Sequence, residues 1–134
     1  MLAERLSRLV EPTRLATGVM AQEIATNFAV GGRPTPWPPL ADVTIRKKGH
    51  DRLLIDTEDM YSAATSEESW QVESSGRGAS AHLDSSQLPY YSIFHIEGTQ
   101  FMPERDFTFI PDEALDKIVD IFGEFVDQAL EAVP

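Results

Sequence analysis

The sequence of 134 residues contains no cysteine. This absence excludes disulfide bonds, thiolate zinc sites and cysteine nucleophiles. No apolar run approaches the roughly 20 residues that a membrane-spanning helix needs. Near the N-terminus, Glu4, Arg5 and Arg8 interrupt the apolar residues, so no secretion signal is expected. The sequence therefore predicts a soluble protein that neither enters nor crosses a membrane.

Basic residues are scarce, with 11 lysines and arginines against 22 aspartates and glutamates. Five of the basic residues lie between residues 31 and 54, whereas residues 55–75 carry six acids and no base. Proteins that bind a phosphate backbone show the opposite balance. The net charge of −11 predicts no specific nucleic-acid binding and favours either a solvated acidic face or a basic partner protein.

Residues that could carry catalysis or hold a metal do not form a recognisable pattern. None of the three histidines, His50, His82 and His95, has a second ligand three or four residues away on a helix. The chain has no G-x-S-x-G motif, and its Gly-Gly pair lacks the Lys-Ser/Thr of a phosphate loop. We therefore expect no enzymatic activity, no catalytic residue, no cofactor and no metal.

Helical periodicity marks both ends of the chain. Near the N-terminus the apolar residues at this spacing are Leu2, Leu6, Leu9 and Val10, followed by Leu15, Val19, Ile24 and Phe28. Pro12 either lies in the first turn of a second helix or kinks a single one. The C-terminal apolar face consists of Leu115, Ile118, Val119, Phe122, Phe125, Val126, Ala129 and Leu130, with acids opposite.

The segments between these helices predict an α+β fold in a single domain, with a small antiparallel sheet packed with N-terminal and C-terminal amphipathic helices. In chain order the predicted elements are a helical region 1–29, a Pro/Gly-rich loop 30–41, short helices 42–66, strands within 69–96 (69–75, 79–84 and 89–96), a loop 97–110 and a C-terminal helix 111–132. "SGRG" is the expected turn between the first two strands, and Asp56 or Thr57 is the expected N-cap of a helix that runs through Ala64.

The stretch "HIEGTQFMPERDF" (95–107) is predicted to join the sheet to the last helix. We expect His95 to end a strand, and Gly98 to adopt a positive φ after it. Arg105 is expected to pair with a neighbouring carboxylate. Phe101, Phe107 and Phe109 are expected to anchor the loop in the core.

The ordered series "GGRPTPWPPL", "TIRKKG", "LLIDTEDMYSA", "FHIEGT", "MPERDF" and a closing amphipathic helix resembles the tail-completion or virion-morphogenesis proteins of tailed bacteriophages, of the type found in phage Mu and in prophages. The likeness covers nearly the whole chain. The matching positions are Trp37, Pro39, Leu40, Thr44, Lys48, Leu54, Thr57, Ser62, His95, Gly98, Thr99, Met102, Pro103, Arg105 and Phe107.

Two positions depart from the family pattern. Glu58 replaces a glycine, which favours a helical first turn there. Asp106 replaces the proline of the family's Arg-Pro-Phe, which frees a backbone N–H and is expected to loosen the loop.

The resemblance implies a structural protein that completes the tail or the head–tail joint by capping the tail tube, as a ring of subunits. Its implied partners are the tail-tube and neck or head-completion proteins. The implied location is the tail or neck of the virion, and the host cytoplasm during assembly. The alternatives from the residues themselves are a small acidic regulatory or inhibitory protein-binding module, or an enzyme.

The candidate interface combines the aromatic loop, the basic segment, the 95–107 joint and the acidic helix. Its residues are Trp37, Arg46, Lys47, Lys48, His95, Phe101, Met102, Arg105, Asp120 and Glu124. Trp37 lies between two prolines, so it points either inward against the helices or outward toward a partner. We expect the basic segment 46–52 of one subunit to meet an acidic face of its neighbour, either 55–68 or the last helix.

Overall fold

The computed structural model describes residues 9–39, 59–75, 78–100 and 102–131. Within them lie helices α1 (Val10–Val30), α2 (Asp59–Thr65), α3 (Ser92–Glu97) and α4 (Asp112–Glu131), strands β1 (Trp70–Ser75) and β2 (Gly78–Leu83), and two short 3-10 helices (Glu67–Ser69 and Ser85–Gln87). The fold is α+β, with a helix near each end of the chain and a small antiparallel sheet, as the sequence predicts.

The N-terminal helix α1 is the central element, because α4, α2 and both strands contact it. Pro12 lies in its first turn, where the missing N–H costs no hydrogen bond. The helix ends at Val30 and is capped by Gly31, which has a φ of 78° and whose N–H bonds the carbonyl of Asn27. Whether a longer helix is kinked at Pro12 depends on residues 1–8, which lie outside the described residues.

The helix α1 is not amphipathic in the way predicted. Its buried face carries Ile24 and Phe28 but also Thr13 and Thr17, while Leu15 is 63% exposed. The threonine hydroxyls are satisfied locally, since Thr13 donates to the Leu9 carbonyl at 2.6 Å and Thr17 to the Arg14 carbonyl at 2.7 Å. Helical hydroxyls can donate to the preceding turn, so polar residues occupy buried positions without a lost hydrogen bond.

The sheet is a single antiparallel hairpin of β1 and β2. Trp70 pairs with Leu83 at its open end, and both side chains pack against the core. The predicted strands 69–75 and 79–84 are confirmed to within one residue. The expected turn "SGRG" includes residues 76 and 77, which lie outside the described residues.

The third predicted strand, 89–96, is wrong, because this segment contains the helix α3. The Ser92 N–H bonds the Pro89 carbonyl at 3.0 Å and opens the first turn, and the Gly98 N–H bonds the Phe94 carbonyl at 2.8 Å and closes the last. Tyr91 and Ile96 pack against the core, while Phe94 is 46% exposed. Backbone hydrogen bonds between residues three and four apart define a helix, whereas a strand bonds to a neighbouring strand.

Of the predicted short helices 42–66, the described part is α2, which ends at Thr65. The expected helical turn 42–47 and the expected caps Asp56 and Thr57 lie outside the described residues. Met60 and Ala64 of α2 are buried in the main apolar cluster. This placement brings the segment before the hairpin against α1.

The core gathers around Phe28 of α1. The centroid of its ring lies 5.4 Å from the ring centroid of Phe107, 6.0 Å from that of Trp37 and 5.1 Å from that of Tyr61. The buried cluster consists of Ile24, Phe28, Trp37, Met60, Ala64 and Phe107. Two of these residues, Trp37 and Phe107, come from irregular segments, so the loops are part of the core.

Candidate interaction surface

Trp37 points inward. It is only 8% exposed, and its backbone N–H donates to the Gly31 carbonyl at 2.8 Å. The indole covers Gly32, where a Cβ atom would stand 2.5 Å from Cγ of Trp37. Gly32 also has a φ of 113°, so both space and backbone require glycine. The inward alternative for Trp37 is therefore the observed one, and the indole is not a surface anchor for a partner.

Arg105 is also buried, at 6% exposure. Its Nε donates to the Pro38 carbonyl at 3.0 Å and its Nη2 to the Pro39 carbonyl at 3.2 Å. Among the described residues, its side-chain partners are these two carbonyls and not the expected carboxylate. Burial lowers the pKa of the Arg105 guanidinium, which still carries its charge near neutral pH because arginine starts far above it. Arg105 thus ties the 97–110 loop to the Pro-rich loop and is not available as an exposed contact.

A second polar contact between the same loops is centred on Asn27, which is fully buried. Its amide nitrogen donates to the carbonyls of Phe107 at 2.7 Å and Phe109 at 2.8 Å. Its amide oxygen accepts from Nε of Arg33 at 2.6 Å. Arg33 also bridges to the Glu23 carboxylate at 2.9 Å. The buried amide is therefore satisfied on both sides.

The 95–107 joint begins with His95 on α3, where the half-buried ring lies edge-on to Tyr91 at 6.1 Å between ring centroids. Gly98 follows with a φ of 75°, which confirms the predicted positive value. A Cβ atom there would come 2.9 Å from the backbone nitrogen of Glu104. Thr99 and half-buried Met102 then exchange backbone hydrogen bonds of 2.9 and 3.3 Å across a tight turn. Phe101 lies outside the described residues.

Asp106 orders this loop rather than loosening it. Its Oδ1 accepts from the Thr108 N–H at 2.9 Å and from the Thr108 hydroxyl at 2.5 Å. The side chain of an aspartate can close a turn in this way, which replaces the rigidity that a proline ring would give. The turn from Asp106 to Thr108 is therefore fixed by side-chain hydrogen bonds, so the expected loosening at Asp106 is wrong.

A cleft of about 330 Å³ lies between the two loops. Its lining combines the prolines with ionisable and aromatic side chains: Arg33, Pro34, Thr35, Pro36, Trp37, Pro38, Glu104, Asp106 and Phe109. Arg33 is already engaged with Glu23 and Asn27. The carboxylates at the cleft are those of exposed Glu104 and of Asp106, whose Oδ1 already accepts from Thr108.

The acidic face of α4 is fully at the surface. Its exposed charged residues are Asp112, Glu113, Asp116, Lys117, Asp120, Glu124, Asp127 and Glu131. Asp120 and Glu124, both candidate interface residues, therefore lie where a partner can reach them. The basic residues expected to face them, Arg46, Lys47 and Lys48, lie outside the described residues.

The apolar face of α4 is wider than its contact with the rest of the protein. Only Ala114 and Ala129 of this helix are buried. Leu115, Val119 and Leu130 are 47, 68 and 52% exposed, although the periodicity predicts them on a buried face. The sequence does signal this outcome, because the apolar arc of α4 is broader than one neighbouring helix can cover.

Among residues 9–39, 59–75, 78–100 and 102–131, no group of three or more His, Asp or Glu side chains is placed to hold a metal ion. Within the same ranges no helix combines the length and the apolar character that crossing a bilayer requires.

Comparison with protein-family models, with curated proteins and with solved structures finds no match to this chain. The resemblance to tail-completion proteins therefore rests on the sequence motifs alone.

Proposed function

We propose that the protein is a structural assembly protein of a tailed bacteriophage or prophage, which completes the tail or the head–tail joint by capping the tail tube. The observation that carries the proposal is that motif residues far apart in the sequence interlock. Arg105 binds the carbonyls of Pro38 and Pro39, and Trp37 and Phe107 share one apolar cluster. The motif series thus supports a single structural unit, with no catalytic role assigned to its residues.

The proposed partners are tail-tube and neck or head-completion proteins, and the proposed location is the virion tail or neck after assembly in the host cytoplasm. No enzymatic activity, cofactor or nucleic-acid contact is proposed. A cap of this kind needs a stable core and a surface for other subunits. The buried loop junction around Asn27 and the exposed acidic face of α4 fit those two needs.

Deletion of the gene from the phage or prophage that encodes it tests this role. Electron microscopy of the resulting particles should show normal heads beside unjoined or over-long tails, and expression of the wild-type chain from a plasmid should restore complete particles. Infectious particles of normal morphology after deletion would contradict the proposed function.

The proposed ring places the basic segment 46–52 of one subunit against an acidic face of its neighbour, such as Asp120 and Glu124 on α4. Charge reversal at Lys47 and Lys48 should weaken assembly with tail tubes, and added salt should weaken the wild-type assembly in the same direction. Arg14→Glu on α1 is the control, because Arg14 is an exposed base outside this segment. Sedimentation at low salt measures assembly, and an unchanged Lys47→Glu/Lys48→Glu variant would rule out this contact.

A second candidate is a small acidic regulatory or inhibitory protein-binding module, which the exposed carboxylates of α4 favour. Such a module would bind a basic protein tightly and leave tail tubes alone. Size-exclusion chromatography with and without tail-tube protein separates the two candidates, since only the assembly protein should shift with the tubes.

A further inference from the structure

Four apolar side chains form a line along α4 that the rest of the described chain covers only in part. Leu115, Val119, Phe122 and Val126 follow one another at spacings of four, three and four residues. This is the spacing of a heptad seam, by which one helix packs along another. Val119 is 68% exposed and Leu115 47%, while Phe122 and Val126 are half-buried. We call these four residues the α4 seam.

The edge of the α4 seam that faces away from α1 is acidic. Asp112, Asp116 and Asp127 lie beside it on the helix surface, and all three are exposed. The single base of α4, Lys117, lies on the far side of the acidic face. An apolar line bordered by carboxylates on a helix is complementary to an apolar line bordered by lysine or arginine.

Gly123 supplies a separate indication. It lies inside α4 beside the α4 seam, and a Cβ atom added there would meet nothing within 4 Å. Nothing in the described packing requires a glycine, although glycine lowers the stability of a helix interior. A glycine at the edge of a contact line lets a partner backbone approach closely. Its position is therefore consistent with a surface that another chain covers.

We propose that the α4 seam binds an amphipathic helix of another protein, which carries apolar side chains at heptad spacing and lysine or arginine along its edge. Pairing of two α4 seams from two copies of this chain is disfavoured, because it would bring the aspartate row of one copy against that of the other. The inference concerns the chemistry of the partner helix and stands whether or not the protein acts in tail assembly.

The first test uses the full chain and two synthetic peptides of about three heptads, with leucine at the contact positions and either lysine or glutamate at the flanking ones. Fluorescence anisotropy should show binding of the lysine peptide that weakens with salt, and binding of the glutamate peptide at least about tenfold weaker. Equal binding of the two peptides, or binding of neither, would overturn the proposal.

The second test removes the apolar contact without changing charge. Leu115→Ser/Val119→Ser should weaken binding of the lysine peptide at least about tenfold, as loss of central contact residues usually does. Leu15→Ser/Val30→Ser is a matched control, because it removes the same two residue types at 63 and 57% exposure from α1. The control should bind within about twofold of the wild type, and circular dichroism verifies that both variants are folded.

The third test reverses the acidic edge. Asp112→Lys/Asp116→Lys should exchange the preference so that the glutamate peptide binds more tightly than the lysine peptide. If the variant still prefers the lysine peptide, the proposal is overturned. The proposal is also overturned if the Leu115→Ser/Val119→Ser variant binds the lysine peptide as tightly as the wild type does. Size-exclusion chromatography of the free chain tests whether a second copy occupies the α4 seam instead. A dimer that is abolished by Leu115→Ser/Val119→Ser would mean that a second copy, and not a basic helix, binds there.

Discussion

The two loops that pack against α1 are irregular but bury large side chains, whereas the helix α4 is regular but largely exposed. The described loops, 31–39 and 98–110 without residue 101, are irregular, yet they bury Trp37, Arg105 and Phe107. The helix α4 is regular over Asp112–Glu131, yet it buries only Ala114 and Ala129. Regular structure and contribution to the core are therefore separated in this fold.

Because of this difference, we expect the loops to contribute mainly to stability and α4 to contribute mainly to recognition of a partner. The loops are held to α1 by the Asn27 amide, and to each other by the Arg105 guanidinium. A side chain removed there leaves a cavity or an unpaired buried group. A side chain removed from the open part of α4 leaves only a change at the surface. Substitutions in the two regions should therefore affect different measurements.

Replacement of Phe107 should have the largest effect on stability. Phe107→Ala removes a ring that is 0% exposed and packed 5.4 Å from the ring of Phe28. The resulting cavity should lower the free energy of unfolding by about 3–5 kcal/mol. Urea unfolding followed by tryptophan fluorescence measures this change.

Phe94→Ala is the control, because it removes the same ring from a position that is 46% exposed. Its cost should be about 1 kcal/mol or less. Equal costs for the two variants would mean that the loop at Phe107 is no more central than the surface of α3, and the contrast between the regions would fail.

Replacement of Asn27 should have the next largest effect. Asn27→Ala leaves the carbonyls of Phe107 and Phe109 without their donor and Nε of Arg33 without its acceptor. Each buried polar group without a partner costs about 1–3 kcal/mol, and relaxation of the structure recovers part of this cost. We therefore expect the free energy of unfolding to fall by about 2–4 kcal/mol. Thr26→Ala on the same helix should stay within about 0.5 kcal/mol, since its hydroxyl only bonds the Gln22 carbonyl.

An Asn27→Ala variant as stable as Thr26→Ala would show that the loops do not depend on this amide. Hydrogen exchange of the backbone amides of residues 105–110 gives a second measurement, because loss of the Asn27 bonds should increase local opening there.

Local patterns in the sequence predict the regular elements well. The helical period predicts 111–132, and α4 spans Asp112–Glu131. Alternation predicts both strands of the hairpin, Pro12 lies in the first turn of α1, and Gly98 has the expected positive φ. These features depend on neighbours within a few residues, which a sequence displays directly.

Features that depend on distant residues are not predicted. Asn27 and its carbonyl partners are 80 and 82 residues apart, and Arg105 binds carbonyls 66 and 67 residues away. Nothing near Arg105 in the sequence indicates that backbone carbonyls would replace a carboxylate. The aromatic and β-branched residues around 89–96 favour a strand locally. The structure instead has a helix there, in which the Pro89 and Phe94 carbonyls accept from the N–H groups of Ser92 and Gly98.

Replacement of Gly123 should have the smallest effect on stability, and in the opposite direction. Gly123→Ala adds a Cβ that meets no atom within 4 Å. Alanine is the better helix former by about 1 kcal/mol, so the variant should unfold at a higher urea concentration. The gain would show that α4 forms a continuous helix whose seam side has free space.

Gly18 provides the matched comparison, because it lies inside α1, where an added Cβ would stand 3.1 Å from Oε1 of Glu67. The Glu67 side chain must move to admit it, so Gly18→Ala should stabilise the protein by less than Gly123→Ala does. A larger gain at Gly18 than at Gly123 would mean that α1 has the more open surface, which would contradict the separation of the two regions. The expected order instead places free space on α4, where Gly123 lies beside Val119 and Asp116 on the surface we propose for a partner helix.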